Sequence, residues 1–219
     1  MNIKERLKRW SKLRFAILYP FGVFVVLFSH SDDRSIMASV WFIVAGLLLR
    51  LWANGYAIKM DKLTTSGPYA LVRHPLYVGT MLIVIGFIIM LRIYYIGALF
   101  LIVMLLVYRR TVKKEESMLE AKFKEDYLGY KEKVRAFLPS FSAYREGEKW
   151  KFSFRRLIQS QEYKPFLWVI ILMIAFHLKE EIMVERETID AKICMLFIIA
   201  FILGMCDVVG EFIRHKNRQ

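Results

Sequence analysis

The sequence predicts an all-α, polytopic membrane protein, a transmembrane bundle of about six membrane helices with a cytoplasmic amphipathic helix. Hydrophobic residues make up 57% of the 219 residues, and the mean hydropathy is +0.37. The apolar residues are also concentrated in separate runs flanked by basic residues, which is typical of membrane helices rather than of soluble domains. The six apolar runs cover residues 15–28, 36–51, 76–91, 93–108, 166–178 and 193–210.

Several of these runs are shorter than the ~20 residues that a helix needs to cross the hydrocarbon core. Flanking residues must complete them, or the bilayer must be thinner around the bundle. The fifth run, 166–178, is the shortest and leaves two alternatives. It is either re-entrant or interfacial, or it extends to Val184 past Lys179, Glu180 and Glu181 at a cost in burying charge.

Basic residues are unevenly divided between the two sides of such a bundle. With a cytoplasmic N-terminus, 28 of the 33 Lys and Arg residues lie in inner segments and five in outer ones. That bias is what the positive-inside rule expects. We therefore expect an integral protein of the cell inner membrane or its equivalent, with both termini, residues 67–80 and residues 109–164 on the cytoplasmic side.

Composition also excludes some classes of function. The net charge of +13 does not indicate nucleic acid binding, because the basic residues flank apolar runs and form no known binding motif. Cys194 and Cys206 stand about 18 Å apart along one helix, so we expect neither a disulfide nor a metal site. His177 and Asp207 are interpreted as structural. Membrane lipids are the expected surroundings, and a protein partner cannot be named.

A polar cluster stands at the start of the third apolar run, where residues 67–80 read GPYALVRHPLYVGT. Pro75 disfavours helix at the residue before it, so His74 should lie just outside the helix and Pro75 in its first turn. The N–H groups from Leu76 to Val78 would then be unpaired donors at the positive end of the helix dipole. The stretch therefore predicts a helix mouth suited to an anion.

A second polar element follows the fourth run. Only Arg92 separates the third and fourth runs, which predicts a tight helical hairpin that returns the chain to the side of residues 67–80. The chain then carries Glu115 and Glu116 into an amphipathic helix that should lie along the membrane face and end near residues 137–139. Its apolar stripe recurs at helical spacing through Leu119, Phe123, Tyr127, Tyr130 and Val134.

In this order, the elements resemble the isoprenylcysteine carboxyl methyltransferase family, which is membrane-embedded and similar to the phospholipid methyltransferases. The resemblance covers residues 62–141: LTTSGPYALVRHPLYVG, two apolar spans, the EE pair and a helix of the form FxxxYxxYxxxV ending at Leu-Pro. It implies an N-terminal two-span segment (1–60), a methyltransferase core with the donor site (61–141), and an interfacial segment with a C-terminal two-span addition (142–219).

The resemblance implies S-adenosylmethionine as methyl donor, bound between the RHPxYxG stretch and the glutamate pair. His74 and the helix start suit the donor carboxylate, a glutamate suits its ammonium or ribose hydroxyls, and Gly79 would let the adenosine approach closely. The expected cofactor-binding residues are Tyr69, His74, Pro75, Leu76, Tyr77, Gly79, Glu115 and Glu116. The expected catalytic residues are Arg73, Glu115 and Arg135, and the expected substrate contacts are Arg50, Tyr127 and Tyr130.

The implied reaction transfers the sulfonium methyl to a nucleophile on a lipophilic acceptor that arrives from the bilayer, foremost a carboxylate of an isoprenoid or lipid-like substrate. A carboxylate needs no base, and an arginine would orient it. An amine or thiol acceptor would instead lose a proton to Glu115, Glu116 or a tyrosine. The candidates for the orienting arginine are Arg73, Arg109, Arg110 and Arg135.

Two other functions remain open at this stage. Membrane steroid and sterol reductases carry a similar RHPxYxG stretch and use NADPH, but they commonly place a glutamate where Thr80 stands. Thr80 and the glutamate pair favour methyl transfer. The other alternative is a non-catalytic membrane module that binds a partner through its added spans. Lys62 stands near a position where the family often has a histidine, so a ligand role there is not assigned.

Overall fold

A computed structural model describes residues 29–58, 62–160 and 163–184, with further helical residues between 194 and 205. The part of the chain so described is all-helical and has no strand, as the sequence predicts. Its helices are α1 (Asp33–Tyr56), α2 (Pro75–Met90), α3 (Tyr94–Lys133), α4 (Phe154–Ser160) and α5 (Tyr163–Lys179). A 3-10 turn (Gly67–Ala70) precedes α2, and a π-helical turn (Glu180–Val184) follows α5.

Two of these helices, α1 and α3, are long and apolar enough to cross a membrane, and α2 is a shorter apolar helix. These helices indicate a membrane protein, but the expected total of about six membrane helices is not confirmed. The first predicted run, 15–28, and most of the sixth, 193–210, lie outside the described residues. The fifth run becomes α5, and helical structure continues past Lys179 to Val184, as in the longer of the two alternatives.

The start of α1 is determined locally. Asp32 accepts a hydrogen bond from the Ser35 backbone N–H (2.8 Å), and the Asp32 N–H donates to Ser35 Oγ (3.0 Å). This reciprocal capping satisfies donors that the first turn of a helix leaves without partners. The Ser35 hydroxyl is also 3.0 Å from the Met90 carbonyl at the end of α2, so the cap ties α1 to its neighbour.

Helices α1 and α2 cross in direct backbone contact at two glycines. A Cβ added to Gly46 would lie 2.5 Å from the Gly79 carbonyl oxygen, and one added to Gly79 would lie 2.8 Å from the Gly46 carbonyl oxygen. Only residues without a side chain allow so close an approach. Gly79 therefore packs against α1, whereas the sequence predicted that it makes room for an adenosine.

Helix α5 packs against this crossing in the part of the chain that the structure describes. One buried cluster joins α1, α2 and α5 through Ile43, Leu47, Ile83 and Val169. A second cluster, nearer the end of α2, is formed by Met90, Leu91 and Phe176. The fifth apolar run is thus an integral part of the bundle.

The hairpin between α2 and α3 is as tight as the sequence predicts. Arg92 adopts the left-handed region, with φ 54°, which lets the chain reverse within a few residues. Its guanidinium Nη1 lies 3.1 Å from Asp32 Oδ2. Glu180 reaches the same end of the bundle and accepts a hydrogen bond from the Ser31 N–H (3.2 Å), so α1 and α3 begin at this end and α2 and α5 end there.

Helix α3 differs from the expectation of a membrane span followed by a separate amphipathic helix. It runs on past the apolar segment and is interrupted only at Lys124, with φ 47° and ψ −119°. Lys131 Nζ lies 3.5 Å from Glu116 Oε2, whereas a straight helix would hold these residues about 22 Å apart. The chain therefore folds back at Lys124, and we call residues 125–133 the return segment.

The predicted apolar stripe is buried by this reversal. Tyr127, Tyr130 and Val134 form a cluster in which each is at most 2% exposed. Leu63, from the loop before α2, and Tyr144, from beyond the return segment, pack against them. The helix ends at Lys133, a few residues before the predicted end near 137–139, because Val134 is already extended.

Candidate functional site

A cavity of about 400 Å³ opens at the end of the bundle where α1 ends and α2 begins. Its wall combines the last turns of α1, the loop before α2, the start of α2, the middle of α3 and the return segment. Ten of the residues predicted from the sequence line it: Arg50, Tyr69, Arg73, His74, Pro75, Leu76, Tyr77, Glu115, Tyr127 and Tyr130.

Three other predicted site residues do not line this cavity. Gly79 faces α1, as described above. Arg135 is exposed and its guanidinium lies 5.9 Å from the centre of the Phe141 ring. Glu116 is turned into an ion pair behind the cavity wall. Sequence spacing put all three near the site, but it could not say which way each side chain points.

Arg73, which lines the cavity, also links three parts of the chain. Its Nε and Nη2 donate to Glu116 Oε1 at 3.1 and 2.8 Å. Its Nη1 donates to the carbonyls of Lys131 (2.7 Å) and Val134 (2.6 Å), which lie where a helix end leaves carbonyls without intrahelical partners. The guanidinium therefore caps the end of the return segment. Through Glu116 it also ties this segment to the part of α3 that precedes Lys124.

His74 lies just before α2, as predicted, and is 8% exposed. Its Nε2 is 3.3 Å from Glu116 Oε1 and its Nδ1 is 3.8 Å from Glu115 Oε2. Its backbone N–H donates to the Ala136 carbonyl (3.1 Å). The imidazole is thus held between the two predicted glutamates.

The start of α2 has fewer backbone N–H groups without a partner than the sequence predicted. The Val78 N–H bonds to the His74 carbonyl at 3.3 Å, so it does not face a ligand. Pro75 has no N–H, and the N–H groups of Leu76 and Tyr77 have no intrahelical acceptor at these positions. Two N–H groups, those of Leu76 and Tyr77, are therefore left for an anion at this helix start, instead of the three that the sequence predicted.

Burial lowers the pKa of His74 from its ordinary value of 6.5, and the Glu116 and Glu115 carboxylates oppose this only in part. The ring is accordingly neutral near pH 7. A neutral imidazole can donate one hydrogen bond and accept another, so His74 can serve as a polar contact without adding a positive charge to the cavity.

We expect the free energy of unfolding to fall as the pH drops below 6.5. The folded-state pKa of His74 lies below the unfolded value, so the unfolded chain binds the proton more readily and acidification favours it. Denaturant titrations in nonionic detergent at pH 7.5 and pH 5.5 measure the effect. The His74→Gln variant should lose less stability between these pH values than the parent. If the free energy of unfolding fell equally in both proteins, the lowered pKa of His74 would be wrong.

Glu115 is the predicted glutamate that faces the cavity. Its Oε1 accepts a hydrogen bond from the Tyr77 hydroxyl at 2.7 Å, and its side chain is 40% exposed. The Tyr77 ring packs against Tyr108, with ring centres 4.6 Å apart. Sequence reasoning missed Tyr108, although its position seven residues before Glu115 places both on one helix face.

The other predicted tyrosines form the wall on the return segment. The Tyr130 hydroxyl donates to the Tyr69 carbonyl at 2.6 Å, which holds the return segment against the loop before α2. The Tyr127 hydroxyl is buried and has no hydrogen-bond partner among the described residues. Leu63 and Thr64 also line the cavity, and the LTTSG motif that contains them was the available signal.

Arg50 closes the cavity on the α1 side. Its Nη1 donates to Thr80 Oγ1 (2.6 Å) and to the Leu76 carbonyl (3.3 Å). The Gly46–Gly79 crossing brings these groups within reach, because Gly46 lies about one turn before Arg50 and Gly79 is next to Thr80. The predicted substrate contact is therefore a cation positioned on the cavity wall by the first turns of α2.

Comparison with known proteins identifies this part of the chain. Residues 35–126 match the family model described as phospholipid methyltransferase. This part of the chain is similar to the phospholipid methyltransferases. The resemblance to the isoprenylcysteine carboxyl methyltransferase-like family is thereby confirmed. The matched residues contain most of α1, all of α2 and most of α3, and they end just after the reversal at Lys124.

Two curated relatives are similar to this chain over different lengths. The cobalt-zinc-cadmium resistance protein CzcN of Cupriavidus metallidurans is 29% identical over 185 residues, which is 79% of this chain and 84% of that protein. The nickel-cobalt-cadmium resistance protein NccN of Alcaligenes xylosoxydans xylosoxydans is 32% identical over 98 residues, which is 44% of this chain and 46% of that protein. No solved structure matches significantly.

Proposed function

We propose that the protein is a membrane methyltransferase that transfers a methyl group from S-adenosylmethionine to a lipophilic acceptor. The observation that carries this proposal is the cavity in the part of the chain that is similar to the phospholipid methyltransferases. It has a helix mouth on one wall and the Glu115 carboxylate on another. Its volume of about 400 Å³ falls in the range of small-molecule sites.

The charges of the donor match these walls. The carboxylate of S-adenosylmethionine would lie at the mouth of α2, where His74 and the N–H groups of Leu76 and Tyr77 are available. Its ammonium or ribose hydroxyls would bond to Glu115. The family is typically dependent on this donor, which supports the assignment.

We propose positioning roles for Arg73 and Glu116, in place of the catalytic and cofactor contacts expected from the sequence. The Arg73 donors are engaged by Glu116 and by two backbone carbonyls. Such a side chain would have to give up buried hydrogen bonds before it could hold a substrate carboxylate. Arg73 and Glu116 instead hold the return segment, and with it Tyr127 and Tyr130, against the cavity.

We propose that Arg50 orients the acceptor. It lines the cavity from α1, and Leu48 and Trp52 on the same helix are exposed apolar side chains that would face lipid. An acceptor carboxylate would reach Arg50 laterally from the bilayer, while the donor enters from the cytoplasm. Methyl transfer from a sulfonium to a carboxylate cancels both charges, so a dry cavity favours it.

The names of the two relatives suggest a physiological setting. Both are named as resistance proteins, one for cobalt, zinc and cadmium and the other for nickel, cobalt and cadmium. We propose that methylation of a membrane compound by this chain serves metal resistance as well.

The Glu115→Gln variant tests the proposed donor site. We expect the parent protein to bind S-adenosylhomocysteine with micromolar affinity in nonionic detergent. The variant should bind about tenfold more weakly or worse, because a hydrogen bond to a charged group contributes about 1.5–3 kcal/mol. Isothermal titration calorimetry on the full chain measures both affinities.

Glu146→Gln is the matched control, since Glu146 is an exposed carboxylate outside this cavity that pairs with Lys133. It should bind like the parent. Binding of NADPH without binding of S-adenosylhomocysteine would support the reductase alternative. Failure to bind either compound, together with no transfer of labelled methyl to total membrane lipid, would support a non-catalytic module.

A further inference from the structure

The side chains of Tyr77, Tyr108 and Glu115 meet at one corner of the cavity. All three line the cavity. The two rings are 4.6 Å apart between centres and inclined at 51°, so they do not stack flat on one another. The Tyr77 hydroxyl donates to Glu115 Oε1 at 2.7 Å, which holds both the ring and the carboxylate in place.

Such a corner suits a cation that carries methyl groups and cannot donate hydrogen bonds. Aromatic faces attract cations through the ring quadrupole, and sites for quaternary ammonium groups are commonly built from tyrosine and tryptophan rings. A neighbouring carboxylate adds direct charge attraction. A sulfonium meets this description, because it is positively charged and its substituents are all carbon.

Two of the three Arg and Lys side chains that line the cavity, Arg73 and Lys62, form ion pairs with carboxylates. Arg73 is neutralised by Glu116, with Nη2 2.8 Å from Oε1. Lys62 is paired with Glu148 at 3.2 Å. Two of the positive side chains on the wall are therefore already matched by carboxylates that do not line the cavity, whereas Glu115 lines it.

We propose that the corner formed by Tyr77, Tyr108 and Glu115 is an onium subsite that holds the sulfonium of the methyl donor. This inference rests on the proposed methyltransferase function and names the group that distinguishes the donor from its product. In the reaction, the bond from sulfur to the methyl carbon breaks, a bond from that carbon to the acceptor nucleophile forms, and the electron pair stays on sulfur. The resulting thioether is neutral and is held less tightly, which favours release of S-adenosylhomocysteine.

The test compares affinities for the sulfonium donor and the thioether product in the full chain, purified in a maltoside detergent without choline head groups. We expect calorimetry to show that S-adenosylmethionine binds about 5- to 30-fold more tightly than S-adenosylhomocysteine, the range expected for a cation–π contact. Sinefungin, which carries an ammonium in place of the sulfonium, should also bind more tightly than the product.

The Tyr108→Leu variant should abolish this preference while it binds S-adenosylhomocysteine within about threefold of the parent, which also shows that it is folded. The Tyr108→Phe variant keeps the ring and should keep the preference. An unchanged preference in Tyr108→Leu, with normal product binding, would overturn the onium subsite and leave the methyltransferase proposal intact. Absence of binding by all three adenosyl compounds in the parent would overturn the methyltransferase proposal itself.

A phosphocholine head group is another source of onium chemistry in a membrane. Titration with dihexanoylphosphatidylcholine, below its micellar concentration, distinguishes the two. We expect no competition with S-adenosylmethionine. Competition that disappears in Tyr108→Leu would assign the corner to a lipid head group and overturn its assignment to the sulfonium.

Discussion

Replacing Arg73 with alanine is expected to lower the free energy of unfolding by about 3–5 kcal/mol, the usual cost of removing one partner from a buried ion pair. The two side chains of the pair are only 10% and 12% exposed. The substitution leaves the Glu116 carboxylate without its main partner and uncaps two carbonyls at the end of the return segment. Denaturant titration in nonionic detergent measures the loss.

The Lys62→Ala variant is the control, because Lys62 and Glu148 form an ion pair whose side chains are 53% and 61% exposed. An exposed pair contributes about 0–1 kcal/mol. The Arg73→Lys variant should recover only part of the lost stability, because an ammonium cannot reproduce the planar arrangement of guanidinium donors. If Arg73→Ala cost no more than Lys62→Ala, the proposed role of Arg73 as the link between the two limbs of α3 would be wrong.

Replacing Gly79 with leucine is expected to lower the free energy of unfolding by about 3 kcal/mol and to abolish donor binding. The new side chain would meet the Gly46 carbonyl and the Arg50 stem, which lie 2.8 and 2.7 Å from an added Cβ. Backbone atoms cannot move aside as a flexible side chain can, so α1 and α2 must separate. Separation also breaks the bond between Arg50 and Thr80 on the cavity wall.

A matched substitution elsewhere distinguishes the general effect of replacing a glycine from the effect of disturbing the Gly46–Gly79 crossing. Gly129 lies in the return segment, and an added Cβ there meets no atom within 4 Å. Gly129→Ala should leave donor binding unchanged and raise stability by about 0.5–1 kcal/mol, because alanine favours helix. Denaturant titration and calorimetry with S-adenosylhomocysteine measure both variants. Normal donor binding by Gly79→Leu would show that the crossing does not position the cavity.

The membrane helices and the outline of the site could be predicted because their signals are local. Apolar runs predict helices regardless of what they pack against. Pro75 after His74 marks the start of α2, and the single residue Arg92 between two runs forces a hairpin. That hairpin is sufficient to bring Glu115 back to residues 67–80, so most of the predicted residues do line one cavity.

The direction in which each side chain points could not be predicted in this way. Glu115 and Glu116 are adjacent in sequence, yet one lines the cavity and the other pairs with Arg73 behind the wall. Successive helical residues point about 100° apart, so a shift of one position changes a ligand contact into a structural one. Tyr108 was missed for a related reason, since an aromatic residue at the end of a membrane run is ordinarily an interfacial anchor.

By itself, the sequence determined the helical class, the membrane character, the methyltransferase resemblance and the residues that meet at the mouth of α2. Only the tertiary structure decided that α3 folds back at Lys124, that Gly79 packs against Gly46 of α1, and that Arg73 caps the return segment. The first set depends on composition and on neighbours along the chain. The second depends on contacts between residues far apart in sequence, which are decided when the helices pack.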